Sequence, residues 1–210
     1  MRLIPTRFPP IAAFDDVARA EDLDAVMELE GWTNDRLVAE RAARIPPAER
    51  VYGRPNSSIV MAAFLHASPA GGRFSGPELG AWYASLTERA AIAEVAAGLR
   101  REARRAGLGS LGGTYRAYLA TLEGDGYADL RGAAGQLPAI YDPSDWSAGQ
   151  RLGERLRADG ADGIVYDSVR LLGGVNVAAF RPYKIVEVVV SSTFSLEVPA
   201  TGRITARRLS

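Results

Sequence analysis

Residues 163–191 read GIVYDSVRLLGGVNVAAFRPYKIVEVVVS, and they give the clearest indication of fold class in the chain. It holds three apolar runs, at 163–167, 175–180 and 185–191. Each run is short and bounded by Gly, Pro or Ser, and the three are rich in Val and Ile, a composition typical of β-strands. No helix-length segment separates one run from the next, so these strands do not form β-α-β units. The pattern predicts an α+β protein rather than a doubly wound sheet.

Working outward, the chain before this stretch mixes predicted helices and strands. Thr87 is a candidate N-cap for a helix of about residues 88–106, and Gly107 follows where helix ends favour glycine. Another helix is predicted from Ser144 or Ser147 to Asp159. Short strands are predicted at 81–85 and 114–122, with candidate edge strands at 194–198 and 204–209. Residues 71–77 form a predicted loop, and the apolar run 59–65 fits either a helix or a strand.

The first 47 residues are predicted to form a helical arm, with the main domain over 48–210. One helix begins at Asp15 or Asp16 and stops at Gly31, and a second runs from Thr33 or Asn34 to Ile45. Pro46 and Pro47 end the second helix and mark the boundary. Residues 15–30 carry seven acidic side chains and one basic one. That charge fits a solvated helix face, with a partner surface or a lid as the alternatives.

The amino-acid composition argues against several classes of function. The 210 residues carry 25 basic and 25 acidic side chains, and a protein that binds duplex nucleic acid normally shows a basic excess. Cysteine is absent, so disulfides, thiolate metal sites and cysteine nucleophiles are excluded. No run of 18 apolar residues is present to span a membrane. We expect a cytoplasmic protein without a metal or a direct nucleic-acid partner.

Three apparent motifs carry little weight. The G-x-G-x-x-G pattern at 107–112 follows a predicted helix, whereas a dinucleotide-binding turn follows a strand, so we interpret it as a helix stop. His66, the single histidine, lies in an apolar run and is expected to be packed in the core rather than in a catalytic triad. A group of arginines near the end of the 88–106 helix complements the helix dipole as a solvated face, with an anion site as the minority interpretation: Arg100, Arg101, Arg104 and Arg105.

Four positions have a local setting suited to chemistry. Glu94 is the only charged residue in AAIAEVAA, so it is either partly desolvated between packed helix faces or an ordinary surface residue. Arg73 follows two glycines, which would let a ligand approach, although an exposed turn is the simpler interpretation. Ser168 and Arg170 follow the 163–167 strand, where polar residues either bind ligands or only end the strand.

Four segments together resemble the RES-domain family, toxins of bacterial toxin–antitoxin pairs named for Arg, Glu and Ser positions. They are GGRFS at 71–75, WYASLTE at 82–88, DGIVYDSVR at 162–170 and GVNVAAFRP at 174–182. The resemblance covers about residues 50–190. By residue match, Arg73, Glu94 and Ser168 take the name-giving positions. Tyr83 matches the site tyrosine, and Arg54 is the candidate for an upstream arginine.

The sequence departs from the family pattern in three places. Ser75 stands where many members carry Asn, and Asp167 stands where Pro commonly precedes the serine. The first fifty residues have no counterpart in that pattern, which raises the possibility of a subgroup with its own activity.

The resemblance implies a fold like that of ADP-ribosyltransferases, a mixed β-sheet core with flanking helices and here an N-terminal helical extension. It also implies NAD as substrate. Glu94 would stabilise the positive charge that develops on the ribose as nicotinamide leaves, or hold a ribose hydroxyl, or orient the acceptor. Arg73 and Arg54 would neutralise the pyrophosphate, and Tyr83 would stack on the nicotinamide ring. Ser168 would bind phosphate or the nicotinamide amide, with Asn176 bracing that loop.

The reaction and the partners follow from the same resemblance as expectations. Members of the family either break NAD down with water or phosphate or transfer ADP-ribose to a protein. Transfer to a protein is slightly favoured here, because the acidic arm adds surface. A non-enzymatic partner-binding domain is the alternative of a different class. A cognate antitoxin is expected to cover the cleft between Arg73 and Glu94, and a DNA-binding helix-turn-helix domain is expected in it.

Overall fold

The computed structural model describes residues 1–7 and 36–210, which form two four-stranded sheets and four α-helices. The strands are β1 Arg2–Pro5, β2 Trp82–Ser85, β3 Ser110–Leu122, β4 Tyr127–Asp129, β5 Gly163–Asp167, β6 Val175–Ala179, β7 Ile185–Pro199 and β8 Thr205–Arg208. The helices are α1 Arg36–Ala43, α2 Ser57–Leu65, α3 Glu88–Arg105 and α4 Ser147–Ala158. The α+β prediction is confirmed.

The two sheets have different pairing patterns. In the first sheet the order is β1-β3-β7-β8 and every pair is antiparallel. In the second the order is β2-β6-β5-β4, with β4 and β5 parallel and the other pairs antiparallel. The backbones of Met1 and Ser85 link the sheets, because Ser85 N–H donates to the Met1 carbonyl at 2.8 Å. This link brings β1 beside β2, where the site described below is built.

Helix α3 lies at this junction and contacts β1, β2, β3 and β7. Its predicted N-cap is confirmed, since the Thr87 hydroxyl accepts a hydrogen bond from Ala90 N–H. Gly107 follows the helix with a φ of +67°, a left-handed conformation that glycine adopts without strain. The 107–112 glycine pattern therefore ends a helix and leads into β3, as expected. One apolar cluster joins α3 to the first sheet through Leu3, Ala91, Tyr115, Ala117, Phe194 and Leu196.

Strand β7 corrects one expectation. The runs 185–191 and 194–198 belong to one continuous strand, and 194–198 is not an edge strand because β7 lies between β3 and β8 there. The polar residues between the runs do not interrupt pairing, since a ladder is made by the backbone and Thr193 pairs with Arg116. A shift of register and a positive φ of 50° at Glu187 mark an irregularity near its start.

The structure settles one open assignment and contradicts one expectation, and a further predicted helix falls outside the described residues. Residues 59–65 lie in helix α2, which is buried on nearly every side, and that explains its lack of a clear period. His66 is exposed at the C-terminus of α2 and is not a core histidine, because the helix ends there. The helix predicted from Asp15 or Asp16 to Gly31 lies outside the described residues.

The N-terminal region differs from a purely helical arm. Residues 2–5 form β1, which pairs with β3, and the sequence pattern did not predict this strand or β4. Ala42 and Ile45 are buried in the same cluster as Val51 and Phe64 from beyond the proposed boundary. The boundary at Pro46 and Pro47 itself stays a prediction. Within the described ranges, no helix is both long and apolar enough to cross a bilayer.

Candidate active site

A cavity of about 360 Å³ lies between α3, β1, the second sheet and the loop around Arg73. That volume falls within the range of roughly 300–1,000 Å³ usual for small-molecule sites. The residues that line it with polar, charged or aromatic side chains are Arg2, Arg73, Tyr83, Ser85, Glu94, Trp146, Tyr166, Arg170 and Asn176. Among the described residues that line the cavity, Glu94 is the only carboxylate, and three guanidinium groups accompany it.

Glu94 reaches the cavity because it lies on α3 between small residues. Ala91 and Ala96 are buried against the body of the protein, so the helix packs closely and the carboxylate is half-buried. Oxygen Oε1 accepts two hydrogen bonds, from Ser168 Oγ at 2.6 Å and from Asn176 Nδ2 at 2.7 Å. None of the described residues donates to Oε2. One oxygen is therefore fixed by the protein, and the other is available to a ligand.

Ser168 orients Glu94 and has no remaining capacity for a ligand. Its hydroxyl donates to Glu94 and accepts from Arg170 N–H at 3.0 Å and Leu171 N–H at 3.1 Å. A hydroxyl offers one donor and two acceptor positions, so all three are used. Ser168 is not among the residues that line the cavity. In this structure Ser168 therefore binds the carboxylate of Glu94, and its predicted contact with phosphate or amide stays a prediction.

Asn176 also orients Glu94, and its own amide is fixed in turn. A carboxylate only accepts hydrogen bonds, so the Asn176 nitrogen must face Glu94 and its oxygen must face away. That oxygen accepts a 2.6 Å hydrogen bond from the Ser85 hydroxyl. Asn176 is 2% exposed, and Ser85 is its cross-strand partner on β2. The structure shows a direct hydrogen bond from Asn176 to the carboxylate, and its role as a brace for the Ser168 loop stays a prediction.

Arg73 is buried with part of its guanidinium free. Nη1 donates to the carbonyls of Ile140 and Asp142 at 2.8 and 2.9 Å, which uses both hydrogens on that nitrogen. A guanidinium has five N–H donors, so three remain on Nε and Nη2 without a described protein acceptor. Burial lowers the pKa of Arg73 from its ordinary value, and Arg170 lowers it further, while Tyr166 and Glu94 oppose the shift. The group remains a cation beside the cavity.

Helix α4 holds the Arg73 loop in place. Gly149 lies so close to the loop that a Cβ there would sit 2.3 Å from the Arg73 carbonyl oxygen. At Gly153 a Cβ would sit 2.0 Å from the Phe74 carbonyl oxygen. Gln150, between them, donates from Nε2 to the carbonyls of Ala70 and Gly72 at 2.8 and 3.1 Å. These contacts fix the loop backbone, and through it the start of the Arg73 side chain.

Tyr83 lines the cavity with its ring while its hydroxyl supports the same loop. Tyr83 Oη accepts from Phe74 N–H at 2.8 Å and shares a 3.0 Å hydrogen bond with Ser75. The ring lies against Gly72, where a Cβ would approach Tyr83 Oη to 2.5 Å. Burial raises the pKa of Tyr83, so the phenol is neutral at ordinary pH. Tyr83 is therefore placed to present an aromatic surface to a ligand.

Arg54 is not brought to the site, and two other arginines are. Arg54 Nη2 donates to the Ile185 carbonyl at 2.6 Å, and Arg54 does not line the cavity. Arg170 lines the cavity and donates from Nη2 to the Pro143 carbonyl at 2.6 Å. Arg170 was noted at a strand end in the sequence but could not be placed by pattern alone.

Arg2 is the site residue that sequence reasoning missed. Its guanidinium donates to the Tyr83 carbonyl at 3.2 Å and lies 5.1 Å from the centroid of the Trp82 ring. Its Nε is enclosed without a hydrogen-bond partner among the described residues. Burial lowers the pKa of Arg2 to about 10. No signal in the short run at residues 2–5 indicated that this strand would join β3 and reach the cavity.

Three arginines near the end of α3 make contacts with neighbouring segments. Arg100 donates to the carbonyls of Pro199 and Gly202, and Arg104 donates to that of Ala200, so both bind the turn between β7 and β8. Arg101 lies 5.0 Å from the centroid of the Trp146 ring, a cation–π contact. Arg101, Arg104 and Arg105 are exposed, as expected for a solvated face, and these contacts add to that interpretation.

The electrostatics of the cavity favour an anionic ligand. Three cationic side chains accompany one carboxylate among the described lining residues, and Arg73 keeps three N–H donors without a described protein acceptor. An excess of positive charge attracts an anion, and the remaining N–H donors of Arg73 suit its oxygens. Among the residues that the structure describes, no group of three or more His, Asp or Glu side chains is placed to hold a metal ion.

Comparison with known proteins gives one family match over most of the chain and a shorter match to one relative. A family model described as the RES domain matches residues 41–198, which include every lining residue except Met1, Arg2 and Leu3. A protein of Sinorhizobium fredii, printed as uncharacterized protein y4oC, is 35% identical over 77 residues. That match covers 35% of this chain and 31% of the relative, so the chain spans about a third of the relative's length.

Proposed function

This chain belongs to the RES domain family, and on that premise we propose that it is a toxin of a bacterial toxin–antitoxin pair that acts on NAD. The reaction begins with cleavage of the bond between nicotinamide and ribose. One observation carries the proposal. The carboxylate of Glu94 has one oxygen held by Ser168 and Asn176 and the other without a donor among the described residues, and it lines a cavity together with Arg2, Arg73 and Arg170.

Glu94 has the position and charge for bond cleavage. When the C–N bond breaks, its electron pair leaves with nicotinamide, and positive charge develops on the ribose ring. A carboxylate stabilises such an oxocarbenium-like transition state. The nicotinamide nitrogen carries positive charge before cleavage, so no strong acid is needed to expel it. A site whose lining contains neither histidine nor cysteine is therefore compatible with the reaction.

The arginines have the chemistry to hold the pyrophosphate. Its two negative charges would lie among Arg2, Arg73 and Arg170, each of which has part of its guanidinium bound to backbone carbonyls. Those carbonyls fix the guanidinium planes without neutralising them. The remaining N–H groups suit phosphate oxygens, which accept two-pronged hydrogen bonds from arginine. The ring of Tyr83 offers a stacking surface for nicotinamide.

We favour transfer of ADP-ribose to a protein as the second half of the reaction. The nucleophile of the acceptor protein would form the bond to ribose C1′ and release its proton. The acidic stretch at residues 15–30 adds surface that suits a protein acceptor. Degradation of NAD is the alternative outcome, in which water or phosphate attacks the same carbon.

The decisive experiment measures nicotinamide release from NAD by the purified chain. Glu94→Gln keeps the size and hydrogen-bonding shape of the side chain but removes its charge. We expect release to fall at least 100-fold, equivalent to about 2.7 kcal/mol of lost transition-state stabilisation. Glu102→Gln is the matched control, since Glu102 lies on the same helix, is exposed and does not line the cavity. Equal release by wild type and Glu94→Gln would remove Glu94 from this role.

The acceptor is identified with labelled NAD and a bacterial lysate. A labelled protein band in the presence of wild type, absent with Glu94→Gln, supports transfer. Soluble ADP-ribose or its phosphorylated form, without a labelled protein, supports degradation. A cognate antitoxin is proposed to cover the cavity. Co-expression with the neighbouring reading frame should then suppress nicotinamide release.

A further inference from the structure

The phenol of Tyr166 is a polar group in the cavity that the steps above do not use. Tyr166 lies on β5, where its cross-strand partner is Asn176 of β6. Asn176 in turn has Ser85 of β2 as its partner on the other side. Directly paired residues of neighbouring strands point to the same face of a sheet. Tyr166, Asn176 and Ser85 therefore form one row across the second sheet, beside Glu94.

The ring of Tyr166 is held rigidly. The residue is 6% exposed, and its ring packs edge-to-face on Phe74 with centroids 4.8 Å apart and an interplanar angle of 72°. It belongs to an apolar cluster that includes Ile164 and Phe180. A side chain fixed by a strand and by packing holds its polar tip in a defined position, which is the property required of a ligand-binding group.

The hydroxyl of Tyr166 has no partner among the described residues. The hydroxyls of two nearby tyrosines are paired, that of Tyr83 with Ser75 and that of Tyr141 with the Leu130 carbonyl. Buried phenols normally find a hydrogen-bond partner. Tyr166 Oη is also not one of the fully enclosed unpaired atoms, and Tyr166 lines the cavity. A molecule in the cavity can therefore reach this oxygen.

The contacts of Tyr166 place it near both charged parts of the site. Its cross-strand partner Asn176 donates to Glu94, and its ring packs on Phe74, which follows Arg73 in the chain. Burial raises the pKa of Tyr166 well above its ordinary value, and Tyr83 and Glu94 raise it further, whereas Arg73 opposes the shift. The phenol is therefore protonated near neutral pH, so it can donate a hydrogen bond.

We propose that the Tyr166 hydroxyl donates a hydrogen bond to the substrate between Glu94 and Arg73, at the ribose-phosphate that carries the bond to be broken. This contact rests on the proposed function, because in NAD that ribose-phosphate joins the reacting carbon to the pyrophosphate. Tyr166 is then a substrate-binding residue that fixes the ribose next to Glu94. Its acceptor is an oxygen of the ribose or of the phosphate attached to it.

Tyr166→Phe tests the proposal, because it keeps the ring on Phe74 and removes only the oxygen. We expect the KM for NAD to rise about 3- to 10-fold, the factor that corresponds to loss of one ordinary hydrogen bond. The affinity for ADP-ribose, measured by calorimetry, should fall by a similar factor. Binding of adenosine 5′-monophosphate should be unchanged, since it lacks the second ribose. Tyr183→Phe is the control, because Tyr183 is exposed and does not line the cavity.

Each of the following outcomes would overturn the proposed contact, and each would show a different reason for its failure. An unchanged KM and an unchanged ADP-ribose affinity, with normal nicotinamide release by wild type, would overturn the contact alone. So would a lower melting temperature with unchanged KM, which would mean that the hydroxyl serves the fold. An equal loss of affinity for adenosine 5′-monophosphate would place the contact at the wrong end of the ligand. Absence of both NAD turnover and ADP-ribose binding in wild type would overturn the proposed function together with the contact.

Discussion

Ser168 and Glu94 lie 74 positions apart, yet the Ser168 hydroxyl donates a 2.6 Å hydrogen bond to Glu94 Oε1. The same hydroxyl accepts from two backbone N–H groups of the turn that follows β5. The turn therefore fixes the hydroxyl, and the hydroxyl fixes the carboxylate. Asn176 donates to the same oxygen, so the direction of Oε2 is determined by the second sheet rather than by helix α3 alone.

Removal of the Ser168 hydroxyl should reduce catalysis. We expect Ser168→Ala to lower kcat for nicotinamide release roughly 10- to 100-fold, because a hydrogen bond to a charged group contributes about 1.5–3 kcal/mol. Its free energy of unfolding should also fall by about 1 kcal/mol, since two backbone N–H groups lose their acceptor.

Ser168→Thr is the matched variant, because it keeps the hydroxyl. It should retain most of the activity. Steady-state kinetics and urea unfolding separate the two effects of Ser168→Ala. Wild-type kcat in that variant would contradict a positioning role for the hydroxyl.

Substitution of Arg2 should weaken ligand binding without weakening the fold. Arg2→Met keeps an unbranched chain against Trp82 but removes a desolvated cation that has no acidic partner among the described residues. We expect the affinity for ADP-ribose to fall about tenfold or more, since a charge-assisted hydrogen bond is lost. The free energy of unfolding should stay equal or rise, because an unpaired buried charge opposes folding.

Arg105→Met provides the comparison for Arg2→Met. Arg105 is an exposed residue at the end of α3 and does not line the cavity. Calorimetry with ADP-ribose should show wild-type affinity for this variant. Equal affinities of Arg2→Met and wild type would show that Arg2 contributes nothing to anion binding.

Close packing of α4 on the Arg73 loop gives a steric prediction. Gly149→Ala places a Cβ 2.3 Å from the Arg73 carbonyl oxygen, so the loop must move away from the helix. We expect loss of about 1–3 kcal/mol in the free energy of unfolding, as in other overpacked sites, together with a large loss of activity.

Gly98→Ala is the control for Gly149→Ala, because Gly98 lies within helix α3 and a Cβ there meets nothing within 4 Å. It should stabilise the protein by about 0.5–1 kcal/mol through helix propensity. Thermal unfolding and nicotinamide release measure both variants. A tolerated Gly149→Ala with full activity would show that the loop does not depend on this contact.

The turn that begins at Asp142 gives a pH prediction. Three hydrogen bonds from Ser144 and Asp145 hold the pKa of Asp142 at about 2, below its ordinary value of 3.8. A depressed carboxyl pKa stabilises the fold above the unfolded pKa, and that contribution is lost as pH falls through the folded pKa. Stability should therefore decline between about pH 4 and pH 2. The carbonyl of the same residue accepts from Arg73, so this loss should loosen the arginine.

Asp142→Asn removes the titrating group and should reduce the loss of stability between about pH 4 and pH 2. Urea midpoints measured at intervals from pH 5 to pH 2 for both proteins test the difference. Superimposable curves would show that the turn adds no pH-dependent stability.

Most helices and strands of the main domain could be predicted from local pattern. The N-cap at Thr87, the stop at Gly107 and the short strand before them depend on neighbouring residues only, and the structure confirms them. Helix α2 could not be assigned, because burial on nearly all its sides removes the period that identifies a helix. Strand β1 was missed, because four residues carry too little pattern to identify a strand.

Some residues of the candidate site could likewise be predicted from local sequence, and others could not. Glycines before Arg73 and small residues around Glu94 are local features, so the sequence singled out both residues, and both line the cavity. Arg54 was the arginine expected at the site, but Arg2 lines the cavity and Arg54 does not. The position of Arg2 depends on the pairing of β1 with β3, whose paired residues lie more than 100 positions apart in the chain. No local sequence pattern indicates that these two strands pair.

Local features of the sequence predict an α+β chain, a glutamate on a small-residue helix and an arginine in a glycine-rich loop, and they leave the burial of that glutamate open. Helix capping, the alternation of side chains along strands and the conformation of glycine depend on a few neighbouring residues, so they can be predicted from the sequence alone. Tertiary structure decided that Ser168 and Asn176 hold one oxygen of Glu94, and that Arg2 and Tyr166 face the same cavity. These roles depend on which strands pair and which helix covers them, and the side-chain packing of the whole chain settles both.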